Sequence, residues 1–117
     1  MPTDADCLFC KIVAGDIPAE TVYEDDRCLA FRDINPQAPT HILLIPKDHI
    51  ARLDDLDDTQ RDLAGRLLER AAHVAREEGL SEGGFRTVIN TGAGGGQEVF
   101  HIHIHLLAGR PFAWPPG

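Results

Sequence analysis

The sequence predicts an α+β domain: a five-stranded antiparallel sheet with one long helix and a short N-terminal helix. Three observations carry that prediction. Five segments have the apolar alternation or apolar run of strands, one central segment switches to a helical period, and the connections are short and rich in Gly, Pro and Asp. The 117 residues suit a single domain, 1–117, with one core.

The elements follow in order. "CLFCKIVAGDIP" holds one short helix's worth of apolar residues before Gly15 and Pro18 break it. "ETVYED" and "CLAFRDI" alternate as half-buried strands do, and "EDDR" between them is a tight hairpin turn. "NPQAP" is a loop, because its prolines remove backbone donors and fix φ. "THILLIP" is apolar enough for a strand buried on both faces. In the segment 54–80, Leu56, Leu63, Leu67, Ala71 and Val74 recur mostly at helical steps of three and four. Asp57 and Asp58 favour its N-terminal end, and Gly79 is a stop. "GFRTVINT" is a further strand, "GAGGGQE" a glycine-rich turn, "VFHIHIHLLAG" the last strand, and "RPFAWPPG" an irregular tail.

Composition narrows the function. Eleven Lys and Arg stand against 19 acids, a net charge of −8, so a nucleic-acid partner is not expected. A small anion in a pocket of amides and histidines remains compatible with that charge. No apolar run approaches the roughly 20 residues of a membrane span, and the N-terminal "MPTDADCLFCK" has acids where a signal peptide has a basic segment. A cytoplasmic protein without membrane contact is expected. Three cysteines, an odd count, do not form a disulfide framework.

Three of the six histidines fall in "HIHIHLL". On a strand, His101, His103 and His105 share one face, about 7 Å apart, and Ile102, Ile104 and Leu106 share the other. A solvated face could be built as well from Lys, Thr or Glu. Histidine adds titration near neutrality, a nucleophilic nitrogen and metal binding. Four glycines in "NTGAGGGQE" precede the strand and can turn backbone amides toward a phosphate. A neutral imidazole can attack phosphorus and form a covalent intermediate while its neighbours orient it, stabilise charge or move protons. The middle histidine, His103, has a partner on each side and is the natural nucleophile. His41 in "THILLIP" is a possible fourth member.

With these motifs in view, the chain resembles the histidine triad (HIT) family. "QEVFHIHIHLLAGR" is similar to the His-x-His-x-His motif, and the likeness continues through "CLFCKIVAGDIPA", "YEDDRCLAFRDINPQAPTHILLIPKDHI", "VINTGAGGGQ" and "WPPG". The Hint branch, the histidine triad nucleotide-binding proteins, is the nearest match; it implies the HIT-like fold and purine nucleoside phosphoramidase chemistry. By this resemblance His103 attacks the α-phosphate, with His101, His105 and His41 in supporting roles. Asp33 matches the ribose-binding acid with Ile34 beside it, and Phe9, Ile12 and Ile17 match apolar residues around the base. Asn90, Gly96, Gln97 and Val99 match the phosphate-side loop. Glu98 stands where the branch usually has serine, and a carboxylate there favours a cationic leaving group or slows the enzyme. The resemblance also implies a homodimer, in which Trp114 reaches toward the partner's site.

Cys7 and Cys10 form a C-x-x-C pair, which fits a redox couple, half of a zinc site or two core thiols. No thioredoxin-like context accompanies it, and the usual finger spacing is missing. The resemblance implies a structural zinc held by Cys7, Cys10, His49 and His101, with no cofactor for catalysis. Cys28 and His73 read as a strand thiol and a helix-face histidine. The leading expectation is hydrolysis of adenosine or guanosine phosphoramidates. The alternatives are dinucleoside polyphosphate hydrolysis, a nucleotide-binding or scaffold module with little turnover, and a zinc-binding structural protein.

Overall fold

The computed structural model describes residues 4–117; the first three residues of the N-terminal stretch read above lie outside them. Five strands form one antiparallel sheet: β1 Thr21–Glu24, β2 Cys28–Arg32, β3 Thr40–Pro46, β4 Arg86–Val88 and β5 Ile104–Ala108, in the order β1-β2-β3-β5-β4. Helix α1 spans Leu8–Ala14 and α2 spans Arg61–Glu77. The α+β class, the five strands and the two helices are as expected from the sequence. Among the described residues no helix is long and apolar enough to cross a membrane.

The sheet is covered on both faces. Ile42, Leu44, Ile104 and Leu106 meet Leu67, Ala71 and Val74 of α2, which is why α2 carries its apolar stripe. Leu29, Phe31, Leu43 and Ile45 point the other way and meet Phe9, Cys7 and Cys10 from the α1 region. β3 therefore has no polar face, as its composition predicts. Asp25 closes the first hairpin by accepting from the Arg27 and Cys28 amides at 2.8 and 2.7 Å.

Three boundaries differ from expectation. The helical segment begins at Arg61, after 3₁₀ turns at Leu53–Asp55 and Asp58–Gln60. Asp57 caps the second of these turns in a capping box with Gln60. The helix does end at Gly79: φ of +73° lets Gly79 N–H reach the Arg76 carbonyl and Leu80 N–H the Ala75 carbonyl. The strand expected over 84–91 is only Arg86–Val88. The last strand starts at Ile104 rather than at residue 99, because Ile102 N–H donates to the Ile50 carbonyl (2.6 Å) outside the ladder.

Candidate active site

The in-and-out alternation survives this break. Ile102, Ile104 and Leu106 are buried in the core, while the three histidines face the α1 side. The 7 Å spacing does not survive: the His103 and His105 ring centroids are 4.8 Å apart, because the chain leaves strand geometry and the rings tilt together. Antiparallel register sets Leu43 opposite His105. His41, two residues before Leu43, then projects from the same face, and its Nε2 lies 2.8 Å from His105 Nδ1.

Backbone partners decide which nitrogen of each ring holds the proton. His103 Nδ1–H donates to the His101 carbonyl at 2.8 Å, so Nε2 keeps its lone pair. The amide of Gln37 donates to His41 Nδ1 at 3.0 Å. An amide N–H cannot accept, so the proton of neutral His41 is on Nε2 and is given to His105 Nδ1. His105 in turn carries its proton on Nε2, a buried atom without a hydrogen-bond partner among the described residues. Asp33 Oδ2 lies 3.4 Å from His41 Nε2. Asp33, His41 and His105 bring ligand-type atoms within 4.8 Å of one another. Since His41 Nε2 is a donor, the trio is a hydrogen-bonded chain rather than a metal cage.

Burial favours neutral rings throughout. It pushes His105 down to about 4, with His103 and His41 adding to the effect, and it lowers His103 and His41 from the ordinary histidine value while Asp33 opposes it. Phe9 supplies much of this dry wall, with its ring edge-on to His103 at 5.1 Å.

His101 belongs to a second cluster. Its Nε2–H donates to the Pro46 carbonyl at 2.8 Å, which leaves the Nδ1 lone pair facing Cys7 Sγ at 3.3 Å and Cys10 Sγ at 3.6 Å. His49 Nδ1 lies 3.4 Å from Cys10 Sγ. All four ligand atoms lie within 4.8 Å of one another. A tetrahedron with Zn–S and Zn–N bonds of about 2.3 and 2.05 Å has S···N edges of about 3.6 Å, so these residues fit a zinc ion. The Pro46 bond is the outer-shell contact that fixes a ligand imidazole. Burial lowers His101 to about 4 and raises Cys10.

The glycine loop departs from the cradle expected of it. The amides of Gly95, Gly96 and Gln97 donate to carbonyls within the loop. The Gln97 side chain is 5% exposed and turned inward: Oε1 accepts from Gly92 N–H (2.8 Å), and Nε2 donates to the Ala51 and Val99 carbonyls (2.7 and 3.1 Å). Gln97 thus braces the loop, which its position in a glycine run does not signal. The amides of Glu98 and Val99 have no intramolecular partner among the described residues. Asn90 is half-buried and sits beside Gly96.

Of the other candidates, Ile12 and Val99 pack against the apolar cluster that holds Phe9. Ile12, Ile17 and Val99 are half-buried, and Ile34 is fully exposed beside Asp33. Trp114 is 83% exposed in the tail. Glu98 is exposed and lines a groove of about 290 Å³ with Asp4, Asp6, Leu8, His49 and Phe100. Cys28 is a buried strand thiol, raised to about 11 by burial, and His73 is half-buried on α2 against Tyr23.

The chain is similar to a HIT family hydrolase from Legionella pneumophila, with 59% identity and a TM-score of 0.93 over 96% of this chain and all of that one. It is 52% identical over 118 residues to a protein named Adenylylsulfatase HINT1 in Arabidopsis thaliana, covering 99% of this chain and 80% of that protein. It is 54% identical over 114 residues to a 14 kDa zinc-binding protein of Brassica juncea, covering 96% of this chain and all of that protein. The family model described as the HIT domain matches residues 14–112, and the chain belongs to the HIT family.

Proposed function

We propose that this chain is a nucleotidyl-histidine hydrolase that cleaves the P–N bond of adenosine or guanosine 5′-phosphoramidates. The observation that carries the reading is the His103 Nδ1–H bond to the His101 carbonyl, which reserves the Nε2 lone pair of a buried, neutral ring for attack. His103 Nε2 bonds to the α-phosphorus as the P–N bond breaks. The His41–His105 pair takes up one proton from solvent with the anionic substrate, and the departing amine keeps the bonding pair and takes the Nε2 proton of His105, which leaves the pair neutral. Water then attacks phosphorus, the P–N bond to His103 breaks with its pair returning to Nε2, and the water's proton restores His105. His41 supports this transfer through its bond to His105 Nδ1.

In this reading Phe9, Ile12 and Ile17 flank the base, and Asp33 and Ile34 hold the ribose. The amides of Glu98 and Val99, with Asn90 and Gly96 nearby, meet the phosphate. Gln97 acts on it indirectly by bracing the loop. Cys7, Cys10, His49 and His101 would hold a zinc ion, which supplies rigidity and has no open position for chemistry. The whole chain, 1–117, works as one cytoplasmic domain in a homodimer, with Trp114 near the partner's site.

A second reading follows from the Arabidopsis relative, whose name describes cleavage of an adenylyl sulfate. Glu98, exposed beside the Val99 amide assigned to the phosphate, opposes a sulfate leaving group and favours an amine. Hydrolysis of an adenosine phosphoramidate carrying a lysine-like amine, beside adenosine 5′-phosphosulfate, tests both. Amine release lost in His103→Ala is expected. Faster turnover of the phosphosulfate would select the second reading, and AMP binding without turnover of either substrate would select a binding module.

A further inference from the structure

The loop joining β2 to β3 is folded around one imidazole. Asp33 N–H donates to the His41 carbonyl at 3.0 Å, Asp33 Oδ1 accepts from Asn35 N–H at 2.9 Å, and Gln37 N–H donates to His41 Nδ1 at 3.0 Å. These bonds set Asp33 Oδ2 3.4 Å from Nε2 of His41, whose side chain is only 3% exposed. The nearest ligand-type atoms of Asp33, His41 and His105 all lie within 4.8 Å of one another.

We propose that Asp33 is a positioning residue for the His41–His105 pair, holding the His41 proton on Nε2 so that His105 accepts at Nδ1 and donates at Nε2. This rests on the functional reading above and gives the carboxylate assigned to ribose a second duty. The reversed polarity would need His105 Nδ1–H to donate to a bare His41 Nε2. A neutral His41 would then carry its proton on Nδ1, head-on to the Gln37 N–H. It would also set a lone pair against the Asp33 anion. The amide and the carboxylate, acting on opposite sides of the ring, therefore impose the same tautomer. Only that tautomer leaves a proton on His105 Nε2, the buried atom without a partner. A nucleoside whose hydroxyls engage Asp33 draws on the same charge that orients the relay, so ribose recognition and proton transfer are coupled through one side chain.

The test begins without substrate. Nitrogen-15 NMR of the imidazoles in the full chain is expected to show His41 and His105 as Nε2–H tautomers, with the His41 Nε2 proton protected from exchange. Asp33→Asn is expected to lose that protection, and Asp33→Glu, which keeps the charge one methylene away, to regain part of it. The kinetic arm uses a phosphoramidate of 2′,3′-dideoxyadenosine, which has no ribose hydroxyls. Asp33→Asn is expected to lower its kcat by roughly 10- to 100-fold, a part of the roughly 100- to 10,000-fold that a positioned general acid supplies. Imidazole signals unchanged in Asp33→Asn overturn the inference whether or not the protein turns over. Equal kcat for wild type and Asp33→Asn on the dideoxy substrate also overturns it, leaving Asp33 a ribose anchor alone. Altered signals with no wild-type turnover would instead overturn the functional reading and uphold the positioning role.

Discussion

Gln97 separates a residue that touches phosphate from one that braces the loop around it. Replacing Gln97 with Ala removes three hydrogen bonds, to Gly92 N–H and to the Ala51 and Val99 carbonyls, at a site that is 5% exposed. At about 0.5–1.5 kcal/mol net per bond, the loss is about 2–4 kcal/mol. Unfolding entropy near 2.1 cal/mol/K per residue converts this, for a chain of this length, into a Tm fall of about 8–16 °C. Gln97→Glu is the sharper perturbation. It keeps the shape and the acceptor toward Gly92 but sets a carboxylate oxygen against two carbonyls. At pH 7 it is expected to be less stable than Gln97→Ala. The protonated acid can donate again, so the folded state raises the introduced carboxyl and stability recovers as pH falls. Thermal and urea unfolding at pH 7 and pH 5 measure both effects. Gln97→Glu as stable as wild type at pH 7, with only a raised KM, would refute the brace and restore a direct phosphate contact.

Other outcomes follow from the same geometry. His105 is lowered to about 4 by burial, so between the ordinary value of 6.5 and about 4 the unfolded chain binds more protons than the folded one. Its contribution is intact above 6.5 and lost as pH falls toward 4; the fall in urea midpoint over that window is expected to be smaller in His105→Asn, and an identical slope would contradict it. Cys10→Ser, measured by elemental analysis after expression in zinc-supplemented medium, is expected to abolish a zinc content near one per wild-type chain; equal zinc in both would place the metal elsewhere. Glu98→Ser is expected to reduce the kcat/KM preference for a lysine-like over a neutral amine leaving group by roughly 3- to 10-fold, the scale of about 1 kcal/mol for an exposed charge pair. An unchanged ratio would remove Glu98 from leaving-group selection.

Much of the fold was legible because it depends on local periodicity. The apolar run of "THILLIP" marks a strand covered on both faces, alternation in "HIHIHLL" divides apolar from polar faces whatever the neighbouring strand is, and three-and-four spacing marks the stripe that α2 buries. Boundaries were less legible, because they depend on distant partners: Ile102 leaves the ladder for the carbonyl of Ile50, which no nearby residue announces. The glycine loop misled for a related reason. Its composition indicates amides that can turn, and only the packed loop shows those of Gly95, Gly96 and Gln97 spent internally.

By itself, the sequence determined the α+β class and the shared face of three histidines, since side-chain direction follows from residue type and local geometry; the Cys-His ligand set was implied by family resemblance alone. Tertiary structure decided which nitrogens meet. The β3–β5 register brings His41 to His105, the β2–β3 loop sets Asp33 beside that pair, and the Pro46 carbonyl turns the His101 lone pair toward two thiols. Proton placement on an imidazole depends on whatever faces each ring nitrogen across the fold, and those partners lie up to 94 residues away in the chain.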